Sequence, residues 1–150
     1  MRTFLRLLLG FTPLALGYAM DQALLNFEIA PLTLSLLFLA LWGGLSFLLC
    51  RSRRSAFISA CIVQVPSLIA LLCILYQELV LGAYWQNLAG VLPQLFFLPT
   101  ISAASRVALS IPQFAGILTE WRLWPIYVIG FLLMLLVSWA GGKLKPKRAS

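Results

Sequence analysis

The chain has 150 residues, of which 62% are hydrophobic and 10% are charged, and it contains no histidine. A soluble domain is typically about 45–50% apolar, so this composition predicts an all-α integral membrane protein, folded as one domain over residues 1–150. The lack of histidine removes the commonest general base and metal ligand, and no nucleotide-binding or zinc-protease motif occurs. We therefore expect a non-enzymatic protein with no catalytic residues, no metal and no cofactor.

Basic and acidic residues alternate between the gaps that separate the long apolar runs. Basic residues gather at the start of the chain, at 51–54 and at 143–148. The acidic residues occupy the other gaps: Asp21, Glu28, Glu78 and Glu120. Because cytoplasmic loops collect Lys and Arg, the alternation predicts that both termini are cytoplasmic. This orientation accounts for most of the net charge of +7 without a nucleic acid partner, and the basic C-terminal tail is expected to contact anionic lipids.

The first apolar run, about residues 4–25, is short for a membrane span. The 14 uncharged residues between Arg6 and Asp21 extend about 21 Å as a helix, against a hydrocarbon core of ~30 Å. Pro13 predicts a kink. Two interpretations stay open, a retained span and a secretory signal peptide cut near its small residues Gly17 and Ala19. We expect retention.

The second and third runs, about residues 29–49 and 56–76, predict two clear spans. Gly43 and Gly44 in the second run would let another helix approach closely. In the third run, Gln64 and Ser67 flank Pro66 and are candidate polar residues inside the membrane. We interpret this spot as a kink held by one interhelical hydrogen bond, with a substrate-lining break as the alternative.

The last run, about residues 124–142, is flanked by tryptophans and followed by lysines, which is typical of a span that ends at the cytoplasm. It completes a predicted bundle of four transmembrane helices.

The stretch between the third and fourth spans, about residues 82–122, is apolar but is interrupted by Pro93, Pro99 and Pro112. A fifth span here would bury Arg106, at a cost of at least ~2.5 kcal/mol near mid-bilayer, and would move the basic tail to the outside. We therefore expect an outward-facing insert that is interfacial or re-entrant. Thr100 to Ile111 is expected to form a short helix with Ala104 and Ala108 on one face and Arg106 off it.

Three functions are consistent with these features. The first is an accessory or scaffold subunit of a membrane complex, which associates with a protein partner or with itself. Its helix-packing candidates are Gly43, Gly44, Ala103 and Ala104. The alternatives are a homo-oligomeric transporter or channel subunit for a small solute, and an enzyme that acts on a lipid-linked substrate through outer carboxylates. The outer charged candidates are Asp21, Glu28, Glu78, Arg106 and Glu120. The expected location is a bacterial inner membrane.

Overall fold

A computed structural model describes residues 2–26, 30–49, 56–120 and 122–144. Within these ranges the chain is helical and has no strand. The elements are α1 (Arg2–Leu9), α2 (Thr12–Asn26), α3 (Pro31–Leu49), α4 (Ala56–Val63), α5 (Val65–Leu75), a π-helical turn (Tyr76–Val80), α6 (Leu88–Leu109), α7 (Pro112–Thr119) and α8 (Trp124–Lys143). Glu28, the cluster at 51–54 and the tail beyond Leu144 lie outside the described residues.

Three of the described helices are long and apolar enough to cross a membrane: Pro31–Leu48 of α3, α6 and α8. A fourth candidate joins α4 to Val65–Val80 across a bend of 50°. The chain is therefore a membrane-embedded helical protein. The predicted spans at 29–49, 56–76 and 124–142 correspond to α3, to α4 with α5, and to α8.

The first apolar run forms two helices, and the break falls at Gly10 and Phe11, just before Pro13. Pro13 lies in the first turn of α2, where its missing N–H is tolerated. The carbonyl of Leu9, four residues before Pro13, accepts a hydrogen bond from the Thr12 hydroxyl at 2.7 Å. The kink predicted at Pro13 is therefore a short break on its N-terminal side.

Contacts along α8 set the directions of its neighbours. Gly43 of α3 lies against Val137, and a methyl group placed at Gly141 would lie 2.4 Å from the Gly43 carbonyl oxygen. Helices α3 and α8 therefore share their C-terminal ends and run parallel. The bent pair α4–α5 runs the opposite way, since Gln64 meets Ser138 and Glu78 meets Leu123. We call the two ends of this bundle the Glu78 end and the Lys143 end.

The expected division of residues 82–122 by its prolines is wrong for Pro93 and Pro99. Both lie inside α6, which continues unbroken for 22 residues from Leu88 to Leu109. Internal prolines cost about 3 kcal/mol each in an isolated helix, but α6 packs against α2, α3, α5 and α8, and both prolines are buried. Tertiary packing therefore overrides the local preference. The expected short helix from Thr100 is the C-terminal half of α6, while Pro112 does begin a new helix, α7.

The C-terminal half of α6 packs against the beginning of α8. Phe97 stacks edge-on against Tyr127, with ring centres 5.8 Å apart, and Thr100 lies against Gly130. Further along, Ala104 and Ala108 share an apolar cluster with Ile126 and Ile129. About eleven residues of α6, or ~16 Å, thus pack on the first two turns of α8. These contacts lie near the N-terminal end of α8.

The predicted face of α6 agrees with this packing. Ala104 and Ala108 are fully buried, whereas Arg106 is exposed. The larger apolar cluster of the bundle includes Phe38, Trp42, Ile74, Phe97 and Met134.

Candidate functional site: a polar clamp at the Glu78 end

The π-helical turn at the end of α5 carries two polar side chains toward the bundle. Its five residues, Tyr76–Val80, include Gln77, which is fully buried, and Glu78, which is half-buried. A π-turn widens the helix locally, is rare, and often occurs at functional sites. Here it places an amide and a carboxylate on adjacent residues that face other segments of the chain.

Glu78 joins the end of α5 to two other segments. One carboxylate oxygen accepts a hydrogen bond from the backbone N–H of Leu123 at 2.6 Å. The other accepts a hydrogen bond from the Tyr84 hydroxyl. Burial, together with this hydrogen bond, raises the pKa of the Tyr84 phenol above its ordinary value. Tyr84 therefore remains a neutral donor to the carboxylate.

Gln77 makes a second connection from the same turn. Its Oε1 accepts a hydrogen bond from the backbone N–H of Trp85 at 2.9 Å. Its Nε2 is buried and has no protein partner. Because Trp85 precedes α6 and Leu123 follows α7, Gln77 and Glu78 together hold both ends of the α6–α7 segment. We refer to Gln77, Glu78, Tyr84, Trp85 and Leu123 as the polar clamp.

The second polar cluster lies at the bend between α4 and α5. Gln64 precedes α5, is 2% exposed and reaches Ser138 of α8 with its Nε2 at 3.5 Å. The Ser67 hydroxyl contacts both the Gln64 carbonyl oxygen, at 2.9 Å, and the Gln64 side-chain oxygen. The predicted candidates Gln64 and Ser67 are thus brought together at the 50° bend, and Gln64 makes a contact to one other helix, α8.

The other charged candidates do not join either cluster. Asp21 is half-buried and Arg106 is exposed. Glu120 forms an exposed ion pair with Arg122 at 3.9 Å, and Glu28 lies outside the described residues. Among the carboxylates in the described ranges, Glu78 accepts a hydrogen bond from a segment 45 residues away.

The small-residue candidates divide into internal and external positions. Gly43 packs against α8 inside the bundle, and Ala103 and Ala104 lie on the buried face of α6. A methyl group placed at Gly44 would meet no atom within 4 Å. Gly44 is therefore the candidate whose surface remains open.

Sequence reasoning missed Gln77, Tyr84 and Ser138. Ser138 is a hydroxyl within an otherwise apolar run, and Gln77 adjoins a carboxylate, so both carried a weak signal. Sequence reasoning could not identify the bonded pairs, because Gln64 and Ser138 lie 74 residues apart and Gln77 and Trp85 lie eight residues apart.

Comparison of the chain with protein-family models, with curated proteins and with solved structures found no match.

Proposed function

We propose that this protein is a non-catalytic accessory or scaffold subunit of a membrane complex, located in a bacterial inner membrane. It has four spans, cytoplasmic termini and an outward-facing insert formed by α6 and α7. The face of α3 that points away from the bundle is the surface proposed to bind the partner.

The contacts of α6 support an insert on the outer side. Trp85, three residues before α6, is held by Gln77, and Ala108 near the other end of α6 belongs to the cluster around Ile126. Both ends of a helix about 33 Å long are thus associated with the Glu78 end. In addition, α6 packs on α2 and α5, whereas α1 and α4 pack on each other. These contacts favour a helix confined to one half of the bundle over a fifth span.

The opposite end has the features of a cytoplasmic membrane interface. The Lys143 ammonium lies 3.7 Å from the centre of the Trp139 ring. Tryptophan is enriched at interfaces, and lysine is enriched on the cytoplasmic side. With the Lys143 end inside, the Glu78 end and the α6–α7 insert are outside.

The observation that carries the proposal is the open face of α3. Just 17% of its candidate span is buried, against 39% for α6 and 44% for α8. Its outward residues include Leu37 and Leu41, which are 59% and 54% exposed. Ala40 and Gly44 lie one turn apart beside these leucines and are also exposed. Small residues at this spacing let a second transmembrane helix approach closely, where dispersion contacts replace the hydrophobic effect.

The proposal is tested by Gly44→Leu in the full chain, with Ala140→Leu as the matched control. Ala140 is exposed on α8, so the control adds the same bulk to a different membrane-facing surface. Native mass is measured in mild detergent, and every co-purifying polypeptide is identified. We expect a stoichiometric foreign polypeptide that is lost in Gly44→Leu and kept in Ala140→Leu. A single-component particle of unchanged mass in all three proteins contradicts the proposal.

The bend at Gln64 favours one alternative, a homo-oligomeric transporter or channel subunit. A broken span with polar side chains at its break is typical of solute sites in transporters. Yet the Gln64 side chain contacts Ser67 and Ser138 of its own bundle, which supports a structural role. Flux of small solutes into vesicles containing wild-type or Gln64→Leu protein separates the two. Flux that Gln64→Leu abolishes supports transport, and no flux with either protein opposes it.

A further inference from the structure

The N-terminal helices contact the rest of the bundle through two glycines. A methyl group placed at Gly10 would lie 2.5 Å from the carbonyl oxygen of Val63, and one placed at Gly17 would lie 1.9 Å from the carbonyl oxygen of Leu95. Real side-chain carbon atoms are not found at such distances. Hydrogen is therefore the one substituent that fits at either position without a shift of the backbone.

Both carbonyl groups lie beside prolines. Leu95 is four residues before Pro99, so the nitrogen that would donate to its carbonyl in a regular helix carries no hydrogen. Val63 is the last residue of α4, where carbonyl groups lose their intrahelical partners. In a membrane an unsatisfied carbonyl costs several kcal/mol because no water is present. A glycine Cα–H that points at such an oxygen forms a weak hydrogen bond and shields it from lipid.

We infer that α1 and α2 are a permanently docked part of the mature protein, recognised through Gly10 and Gly17 by the carbonyl groups of α4 and α6. The occupant that this groove fits is an apolar helical segment with two small residues seven positions apart, and the chain's own first apolar run supplies it. A docked first apolar run is not a cleaved signal peptide, whatever the function of the protein.

Burial along α2 agrees with this assignment. Pro13, Gly17 and Met20 are buried against the bundle, whereas Tyr18 is 60% exposed. Removal of the run would uncover the Leu95 carbonyl and the face of α6 that carries Pro99. The groove would then need another helix of the same kind to fill it.

The test combines intact mass with two substitutions in the same helix. Full-length protein with a C-terminal tag is extracted from membranes, and its mass is measured together with its thermal unfolding midpoint. Gly17→Ala adds a methyl group that collides with the Leu95 carbonyl, while Ala19→Leu adds more bulk at an exposed position two residues away.

We expect the mass of the uncut chain, a midpoint about 5 °C lower in Gly17→Ala, and an unchanged midpoint in Ala19→Leu. An N-terminus that begins shortly after Ala19 overturns the inference. Equal midpoints for Gly17→Ala and Ala19→Leu also overturn it, because a helix that is not docked through Gly17 would tolerate both. If Gly17→Ala fails to accumulate while Ala19→Leu accumulates normally, the docking contact is supported.

Discussion

The carboxylate of Glu78 accepts a hydrogen bond at 2.6 Å from the backbone N–H of Leu123, 45 residues away in the chain. Leu123 immediately precedes α8, and the first N–H groups of a helix have no intrahelical acceptor. A negative charge at this position also interacts favourably with the helix dipole. Glu78 therefore fixes where α8 begins and joins it to the end of α5.

The first prediction concerns the strength of this contact. Replacing Glu78 with Ala removes the acceptor from the Leu123 N–H and the Tyr84 hydroxyl, and we expect a loss of about 1.5–3 kcal/mol in the free energy of unfolding. Glu78→Gln keeps an acceptor and should lose less. The matched control is Glu120→Ala, whose exposed ion pair with Arg122 should contribute within about 1 kcal/mol. The measurement is unfolding in SDS followed by tryptophan fluorescence, and equal losses for Glu78→Ala and Glu120→Ala would contradict this role.

A second prediction follows from the raised pKa of Tyr84. Because the folded-state pKa lies above the unfolded value of 10.0, the stability that this phenol contributes is complete below that value and is lost as the pH rises beyond it. Spectrophotometric titration at alkaline pH should therefore detect the same phenolate signal between pH 10 and 11 in wild type and in Tyr84→Phe, as long as both stay folded. A phenolate signal that disappears with Tyr84→Phe in this range would show an ordinary, exposed phenol.

The parallel packing of α3 on α8 gives a third prediction. Gly141→Ala places a methyl group 2.4 Å from the Gly43 carbonyl oxygen, whereas Gly44→Ala adds one in open space. We expect Gly141→Ala to lower the free energy of unfolding by about 1–3 kcal/mol through overpacking. Gly44→Ala should not lower it. Similar stability for the two variants would exclude the close approach of these helices.

The polar cluster at the bend gives a fourth prediction. Ser67→Ala removes the hydrogen bond to the Gln64 carbonyl at 2.9 Å and should cost about 0.5–1.5 kcal/mol. Ser138→Ala should cost less, since its contact with Gln64 is 3.5 Å long. In a double-mutant cycle, Gln64→Leu should couple more strongly to Ser67→Ala than to Ser138→Ala. The reverse order would place the main partner of Gln64 on α8.

The sequence was sufficient to predict the helices that are marked by local composition. An uncharged apolar run such as that of α3 forms a helix in lipid because its backbone must satisfy its own hydrogen bonds. The polar residues at Gln64 and Ser67 were likewise recognisable as a break, because Pro66 lies between them.

The continuous helix α6 could not be predicted from the sequence, because it depends on packing between distant segments. Pro93 and Pro99 predict interruptions locally, but the helix continues because four other helices enclose it. The partners of Gln77 and Glu78 depend on a π-turn, for which the sequence carries no reliable local signal. Similarly, Gly43 and Gly44 are equivalent in sequence, and helix α8 alone decides that one is internal and the other open.

The arrangement of four spans with an outer α6–α7 insert is tested most directly by labelling single cysteines in intact cells. Native cysteines are replaced by serine, and Ser110→Cys or Ser150→Cys is introduced after α6 or at the C-terminus. A membrane-impermeant maleimide should label Ser110→Cys in intact cells and Ser150→Cys only after the cells are permeabilised. The opposite pattern, with Ser150→Cys labelled in intact cells and Ser110→Cys protected, would mean that α6 crosses the membrane as a fifth span.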